Sequence, residues 1–187
     1  MSASDNLVRC SWCTGDLDYI KYHDNEWGVP LHDDKKLFEL LTLEGAQAGL
    51  SWLTVLKKRD AYREVFYGFN IKKVSNLTNK DLNKLMASKG IIRNKLKILS
   101  VVKNAHVVWD IQKNYGSFNN YLWRYVDHIA LNKNQIKKAN AVAILLSKDL
   151  KKRGMNFVGP TICFAFIQAN GMSNDHSKNC FRYNKYN

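Results

Sequence analysis

Apolar residues in this chain recur three and four positions apart in segment after segment, and nowhere do they alternate with polar ones over a strand's length. That spacing favours helices. Residues 35–48 carry Leu37, Phe38, Leu40, Leu41 and Leu43, a stripe too thick for a solvent helix. Further on, Ile98, Val101, Val102, Ala105 and Val108 follow the same period. Residues 140–153 are amphipathic, and residues 161–169 are apolar nearly all round, as in a buried helix. The start signals agree: Ser51 before residues 52–58, Asp60 before a helix running to Tyr67, Thr78 with Asp81 as a capping box, and Ser117 before Tyr121, Leu122 and Tyr125. Gly49, Gly68, Gly90 and Gly154 read as stops, and Pro160 suits the first position of the last helix. The expectation is an all-α fold of about eight short helices. It forms one domain over residues 1–187, with its loosest connection at the polar stretch 127–138.

At 187 residues, with 45% hydrophobic and 24% charged residues, the chain can build a core and is not disordered. No stretch approaches the roughly 18–20 apolar residues of a membrane span. The first ten residues lack a basic and then apolar leader pattern, so a cytoplasmic protein with no membrane partner is expected. Lys and Arg number 29 against 16 Asp and Glu, giving a net charge of +13. Such an excess attracts polyanions, nucleic acid above all. The acidic residues crowd the first third (Asp16, Asp18, Asp24, Glu26, Asp33, Asp34, Glu39, Glu44), while basic ones dominate residues 57–153. That asymmetry suits a basic docking face beside a site that uses carboxylates or recognises a cation.

Four cysteines in a cytosolic chain read as thiols or metal ligands rather than disulfides. His176 and Cys180, spaced as one helical turn, suit tetrahedral zinc, and Cys10 and His23 complete a Cys2His2 set. Spacing alone leaves Cys13 open as a ligand. A closed four-ligand site is structural, holding the two ends of the chain against the body. Cys163 lies in the apolar last helix and reads as core.

Between Tyr19 and Gly28, aromatic, acidic and imidazole groups follow one another without an amphipathic period. An ordinary core does not accommodate such a mixture cheaply. A pocket that stacks a flat heterocycle and hydrogen-bonds its edge does. Trp12 and Trp52 add faces, and Glu44 interrupts the apolar run Leu40–Ala46. A carboxylate among aromatic faces is a receptor for a cationic aromatic ligand.

Several blocks together resemble the 3-methyladenine DNA glycosylase I family. They are Arg9-Cys10-Ser11-Trp12, the run from Tyr22 to Pro30, Leu43-Glu44, Gln47 to Trp52, Val55 to Arg59, Gly90 to Arg93, Lys151 to Gly154, Phe157-Val158-Gly159 and Asn174-Asp175-His176. The resemblance implies a helix-hairpin-helix glycosylase fold, with the hairpin helices at about residues 140–169. It also implies one structural zinc on Cys10, His23, His176 and Cys180, selecting Cys10 over Cys13 and joining residues 10–23 to 176–180. Glu44 is the implied catalytic residue, and Glu44, Trp52, Tyr22, Tyr19 and Trp12 bind the base. Gly49 and Leu50 are the tip pushed into the duplex, while Phe157, Val158 and Gly159 contact DNA. Residues 90–95 resemble an earlier glycine-then-lysine turn brought toward DNA. The superfamily's usual catalytic Asp has its nearest counterpart in Asp175, a few residues early, and the family is thought to manage without it. The implied partner is alkylated double-stranded DNA, the product 3-methyladenine and an abasic site, and the enzyme a monomer. No lysine is marked out for Schiff-base chemistry, so strand cleavage is not expected.

Overall fold

The computed structural model describes residues 7–13 and 15–185. Residues 1–6, on which most of the leader reading falls, lie outside the described residues. Side-chain caps set most helix boundaries. Asp16, Asp33, Ser51, Asn70, Thr78, Asn94 and Ser117 each accept a backbone N–H from the first turn of the helix they precede. Each such bond stabilises a helix start by about 1 kcal/mol. Thr78 and Asp81 form the reciprocal capping box expected from their spacing.

Among the described residues, ten α-helices follow in order. They are α1 Leu17–Asn25, α2 Asp34–Gln47, α3 Trp52–Leu56, α4 Arg59–Val65, α5 Ile71–Ser75, α6 Asn79–Ala87, α7 Lys95–Tyr115, α8 Phe118–Trp123, α9 Ile136–Lys152 and α10 Pro160–Ala169. The described residues contain no strand, only an isolated bridge between Leu131 and Ser173. Helix α10 packs on α9 and α2, and α7 packs on α5 and α8. The core runs through Leu37, Phe38 and Leu41 of α2, Ile98 and Ile111 of α7, and Phe166 of α10, all at most 2% exposed.

Several features differ from the sequence reading. Asp60 is not a cap: Lys57 and Lys58 already have helical backbone, so the chain enters α4 before reaching Asp60. Asp60 instead pairs with Arg63 at 3.1 Å. Ser88 rather than Gly90 ends α6. The stretch 127–138 is no loose connection. Leu131 is buried, its N–H donates to the Met172 carbonyl at 2.8 Å, and its own carbonyl accepts from Asn174 at 2.8 Å. A second capping box, Asn132 with Gln135, then leads into α9, which begins at Ile136, before the expected residue 140.

The turn between α9 and α10 is fixed from both sides. Asn104 of α7 exchanges two 2.9 Å hydrogen bonds with the backbone of Asn156. Ser147 of α9 donates to the Val158 carbonyl at 2.7 Å. Phe157 between them holds a left-handed φ of +54°, which a bulky residue adopts only when its surroundings dictate it.

Candidate active site and metal centre

Helices α1, α2, α3 and α10 converge on a cavity of about 330 Å³. Trp12, Tyr19, Tyr22, Glu44 and Trp52, the five expected pocket residues, all line it. Tyr22 and Trp52 meet at 5.2 Å between ring centroids, and Trp12 and Tyr19 at 5.1 Å. Glu44 is only 4% exposed. Burial alone pushes its carboxyl up to about 8, with no neighbouring cation or hydrogen bond opposing the shift. The indole N–H of Trp52 is likewise buried without a hydrogen-bond partner. A cavity with aromatic faces, an unmet acid and an unmet donor suits a polar, flat guest.

Sequence reading missed part of the lining. Trp27 and Gln47 stood within recognised blocks but carried no assigned role, Gln168 was not singled out, and Asp175, noted only as the nearest counterpart of the superfamily's Asp, reaches the cavity from the far end of the chain. Gln168 donates to Asp175 at 2.7 Å and Ser173 donates to the same oxygen at 3.3 Å. These bonds turn Asp175 into an oriented second carboxylate of the cavity.

A larger cavity of about 450 Å³ backs onto this one, sharing Tyr22 and Trp52. Its charged residues largely satisfy each other: Arg59 grips Glu26 at 2.6 and 2.9 Å, and Arg63 grips Glu39 at 2.8 Å. It holds no unmet buried carboxylate.

The residues assigned to DNA divide by exposure. Leu50 stands 42% exposed on the turn between α2 and α3, beside Gly49 at a φ of +79°. Phe157 is half-buried, and Gly159 precedes α10 with no side-chain cap and Pro160 at its start. Val158 is a correction: its side chain is 1% exposed in the core, so only its backbone is available to a ligand.

Next to the cavity, Cys10, His23, His176 and Cys180 are buried together, with their donor atoms all within 4.8 Å of one another. This set can hold a metal ion. Segment 176–180 is not helical; a turn closed by the Cys180 N–H on the Ser177 carbonyl at 2.8 Å brings the pair together instead. Nδ1 of His176 lies 3.5 Å from both sulfurs, and Nε2 of His23 lies 3.5 Å from Cys180 Sγ. The opposite ring nitrogens are taken up, His176 Nε2 by the Trp27 carbonyl at 3.2 Å and His23 Nδ1 by Asp24 at 2.7 Å. Arg9 in turn holds Asp24 at 2.7 Å. Burial alone would raise the Cys10 thiol, but hydrogen bonds from His176, His23 and Ser177 bring it down to about 5. Cys13 stays outside the set: its thiol donates to the Tyr19 carbonyl at 3.6 Å, and burial, with Asp24 nearby, raises it to about 11.

Gly28 makes this arrangement possible. It has a φ of +74°, and a Cβ there would stand 2.9 Å from His176 Nε2. Any side chain would displace the ring.

The model of the family described as methyladenine glycosylase matches residues 12–183. The DNA-3-methyladenine glycosylase 1 of Escherichia coli (strain K12) is 46% identical over 182 residues, covering 95% of this chain and 97% of that one. The DNA-3-methyladenine glycosylase of Haemophilus influenzae is 42% identical, covering 92% and 96%. A crystal structure of a 3-methyladenine DNA glycosylase I variant in complex with 3-methyladenine superposes with a TM-score of 0.89 at 40% identity, covering 96% of this chain and 99% of that one.

Proposed function

The chain belongs to the methyladenine glycosylase family, and we propose that its smaller cavity holds a flipped 3-methyladenine while the N-glycosidic bond is hydrolysed. The protein is a base-excision repair glycosylase that removes 3-methyladenine from alkylated DNA. The observation that carries the assignment of the cavity is Glu44, a buried acid without a partner among aromatic faces.

Methylation at N3 leaves the base formally positive, so its bond to the sugar is already weak and departure gives a neutral leaving group. Little acid–base machinery is then required, and selection becomes the main task. A neutral base entering the cavity gives Glu44 no charge to offset its desolvation. A cationic base does, drawing the carboxyl toward its ionised form and accepting its charge. Trp52, Tyr22, Tyr19 and Trp12 supply stacking faces, and extrusion from the duplex is easiest for a damaged, poorly paired base. Water attack at the sugar carbon leaves the abasic site. Lys97, the one buried lysine among the described residues, directs its ammonium to the Ala46 and Ala48 carbonyls and does not line the cavity. Excision without strand cleavage follows.

Helices α9 and α10 with their turn are read as a helix-hairpin-helix, whose uncapped α10 N-terminus offers backbone N–H groups to a phosphate. The four-residue cluster is read as a structural zinc site. Zinc bonds of about 2.3 Å to sulfur and 2.0–2.1 Å to nitrogen imply a tetrahedral edge of about 3.5 Å. Three of the four S···N separations are 3.5 Å. Bound there, zinc would cross-link the two ends of one monomeric domain.

The test is release of bases from methylated double-stranded DNA, resolved by chromatography, with zinc measured on the same preparation. Free 3-methyladenine with about one zinc per chain is expected. No base release would overturn the enzymatic assignment, and metal-free active protein would overturn the zinc.

A further inference from the structure

The turn between α2 and α3 is short, exposed at its tip, and flanked on both sides by cavity residues. Glu44 and Gln47 precede it and Trp52 follows it. Leu50 at the tip is 42% exposed, partly in solvent beside a base-sized cavity. An apolar side chain there can fill the gap left in a base stack when a nucleotide swings out. To do so it must withstand the force of the closing stack, and local bonding gives limited support. The Leu50 N–H reaches back to the Gln47 carbonyl at 2.6 Å, and Ser51 caps α3 through the Thr54 N–H at 3.2 Å. The last turn of α2 has no basic residue of its own to balance its exposed carbonyls.

Lys97 supplies what is missing. It lies in the first turn of α7, 9% exposed, and its Nζ donates to the Ala46 carbonyl at 2.8 Å and the Ala48 carbonyl at 2.6 Å. The α7 start that presents it is itself fixed, since Asn94 accepts the Lys97 backbone N–H at 3.1 Å. Burying an ammonium is costly unless it is hydrogen-bonded, and both bonds fall on the residues that lead into the tip. We propose that Lys97 is a positioning residue for base extrusion: it braces the 48–51 turn so that Leu50 can hold the duplex open while the lesion occupies the cavity. The role rests on the glycosylase reading but concerns the opening of the duplex, not the recognition of the free base.

Opening the duplex and recognising the base can be measured separately. In Lys97→Met the stem remains and the two donors are lost. Excision of 3-methyladenine from duplex DNA is expected to fall about 10- to 100-fold, as when a small misplacement disturbs a positioned group. Affinity for free 3-methyladenine, read by tryptophan quenching, should stay within about threefold, because no wedge is needed. Leu50→Ala should show the same split, and the double variant should lose little more than either single one. Lys97→Arg, which retains a cation with donors, should recover part of the duplex activity and provides the reading if Lys97→Met does not fold. Equal losses on duplex excision and free-base affinity, additive losses with Leu50→Ala, or full duplex activity without the ammonium would each overturn the positioning role. Absence of excision by the unaltered protein would overturn the glycosylase reading and this role with it. An active parent with an evenly spread Lys97 defect would overturn the role alone.

Discussion

Glu44 combines two costs that a fold without function would avoid, since it is buried and it has no partner. Its sign with pH follows directly. In the folded protein the carboxyl keeps its proton up to about 8, against 4.5 for an ordinary Glu. Between those values the native state holds a proton that the unfolded chain releases, so folding stability falls as pH rises through the window and levels off above it. Glu44→Gln removes the titration. The variant should therefore gain on the parent as pH rises from 5 to 8.5, by on the order of 4 kcal/mol at most, as read in denaturant melts at both ends. Over the same range it should bind free 3-methyladenine more weakly and excise it more slowly, while affinity for undamaged duplex stays near that of the parent. Unchanged base affinity would remove Glu44 from the pocket. These residues were legible because a carboxylate inside Leu40–Ala46 and a run mixing aromatic, acidic and imidazole groups contradict an ordinary core. Gln168 was not, and Asp175 was legible only as the counterpart of the superfamily's Asp and not as part of this cavity, because only the packing of α10 and the chain after it brings them to α1 and α2. Local spacing carries no trace of such a meeting.

At the scale of elements, α2 holds the site together by packing on α3, α7, α8 and α10. Its C-terminal half presents Glu44 and Gln47 to the cavity, and Gly45 faces the turn between α9 and α10. A Cβ at Gly45 would stand 3.1 Å from Phe157 Cβ and 3.2 Å from the Phe157 carbonyl oxygen. Phe157 is already held at a left-handed φ and its neighbours are bonded on both sides, so the turn has little room to yield. Gly45→Ala should therefore cost about 1–3 kcal/mol despite alanine's better helix propensity. It should also weaken duplex binding more than free-base binding, because the displaced turn leads into α10. A stability gain, the usual result of Gly→Ala in an open helix, would show that the two elements are not in tight contact. The helices themselves were readable from period and caps, as Thr78 with Asp81 and Ser117 illustrate. The stretch 127–138 misled because its order comes from Leu131 bonding to Met172 and Asn174, a long-range pairing without local periodicity. Asp60 misled because a good capping residue is no cap when the chain is already helical before it.

Across the whole molecule, net charge and the Cys10, His23, His176 and Cys180 cluster bear on different steps. The net charge of +13 governs encounter with the phosphate backbone. Affinity for undamaged duplex should fall about 500-fold between 50 and 200 mM salt if about five phosphates are contacted, while free 3-methyladenine affinity should barely move. The cluster adjoins the pocket wall. Trp27 packs edge-on to His176 at 4.6 Å and accepts from its ring through the backbone carbonyl. Trp12 packs on His23 at 5.2 Å and on Trp27 at 5.0 Å. Both tryptophans also line the cavity, so the residues that gather Cys10 and Cys180 also fix one side of the base site. Asp175, beside His176, lines it as well. Chelation, or Cys10→Ser combined with His176→Ala, should then have two linked effects. Unfolding should become easier by on the order of 4 kcal/mol, the scale of a cross-link closing so long a loop. Base affinity should drop about tenfold at a temperature where the protein remains folded, because stacking depends on walls held to within a few tenths of an ångström. Calorimetry and tryptophan quenching on the same chelated sample read both. A large loss of stability with intact base affinity would mean that the cluster secures the ends without shaping the pocket. Loss of both would mean that the tryptophans between the cluster and the cavity transmit one to the other.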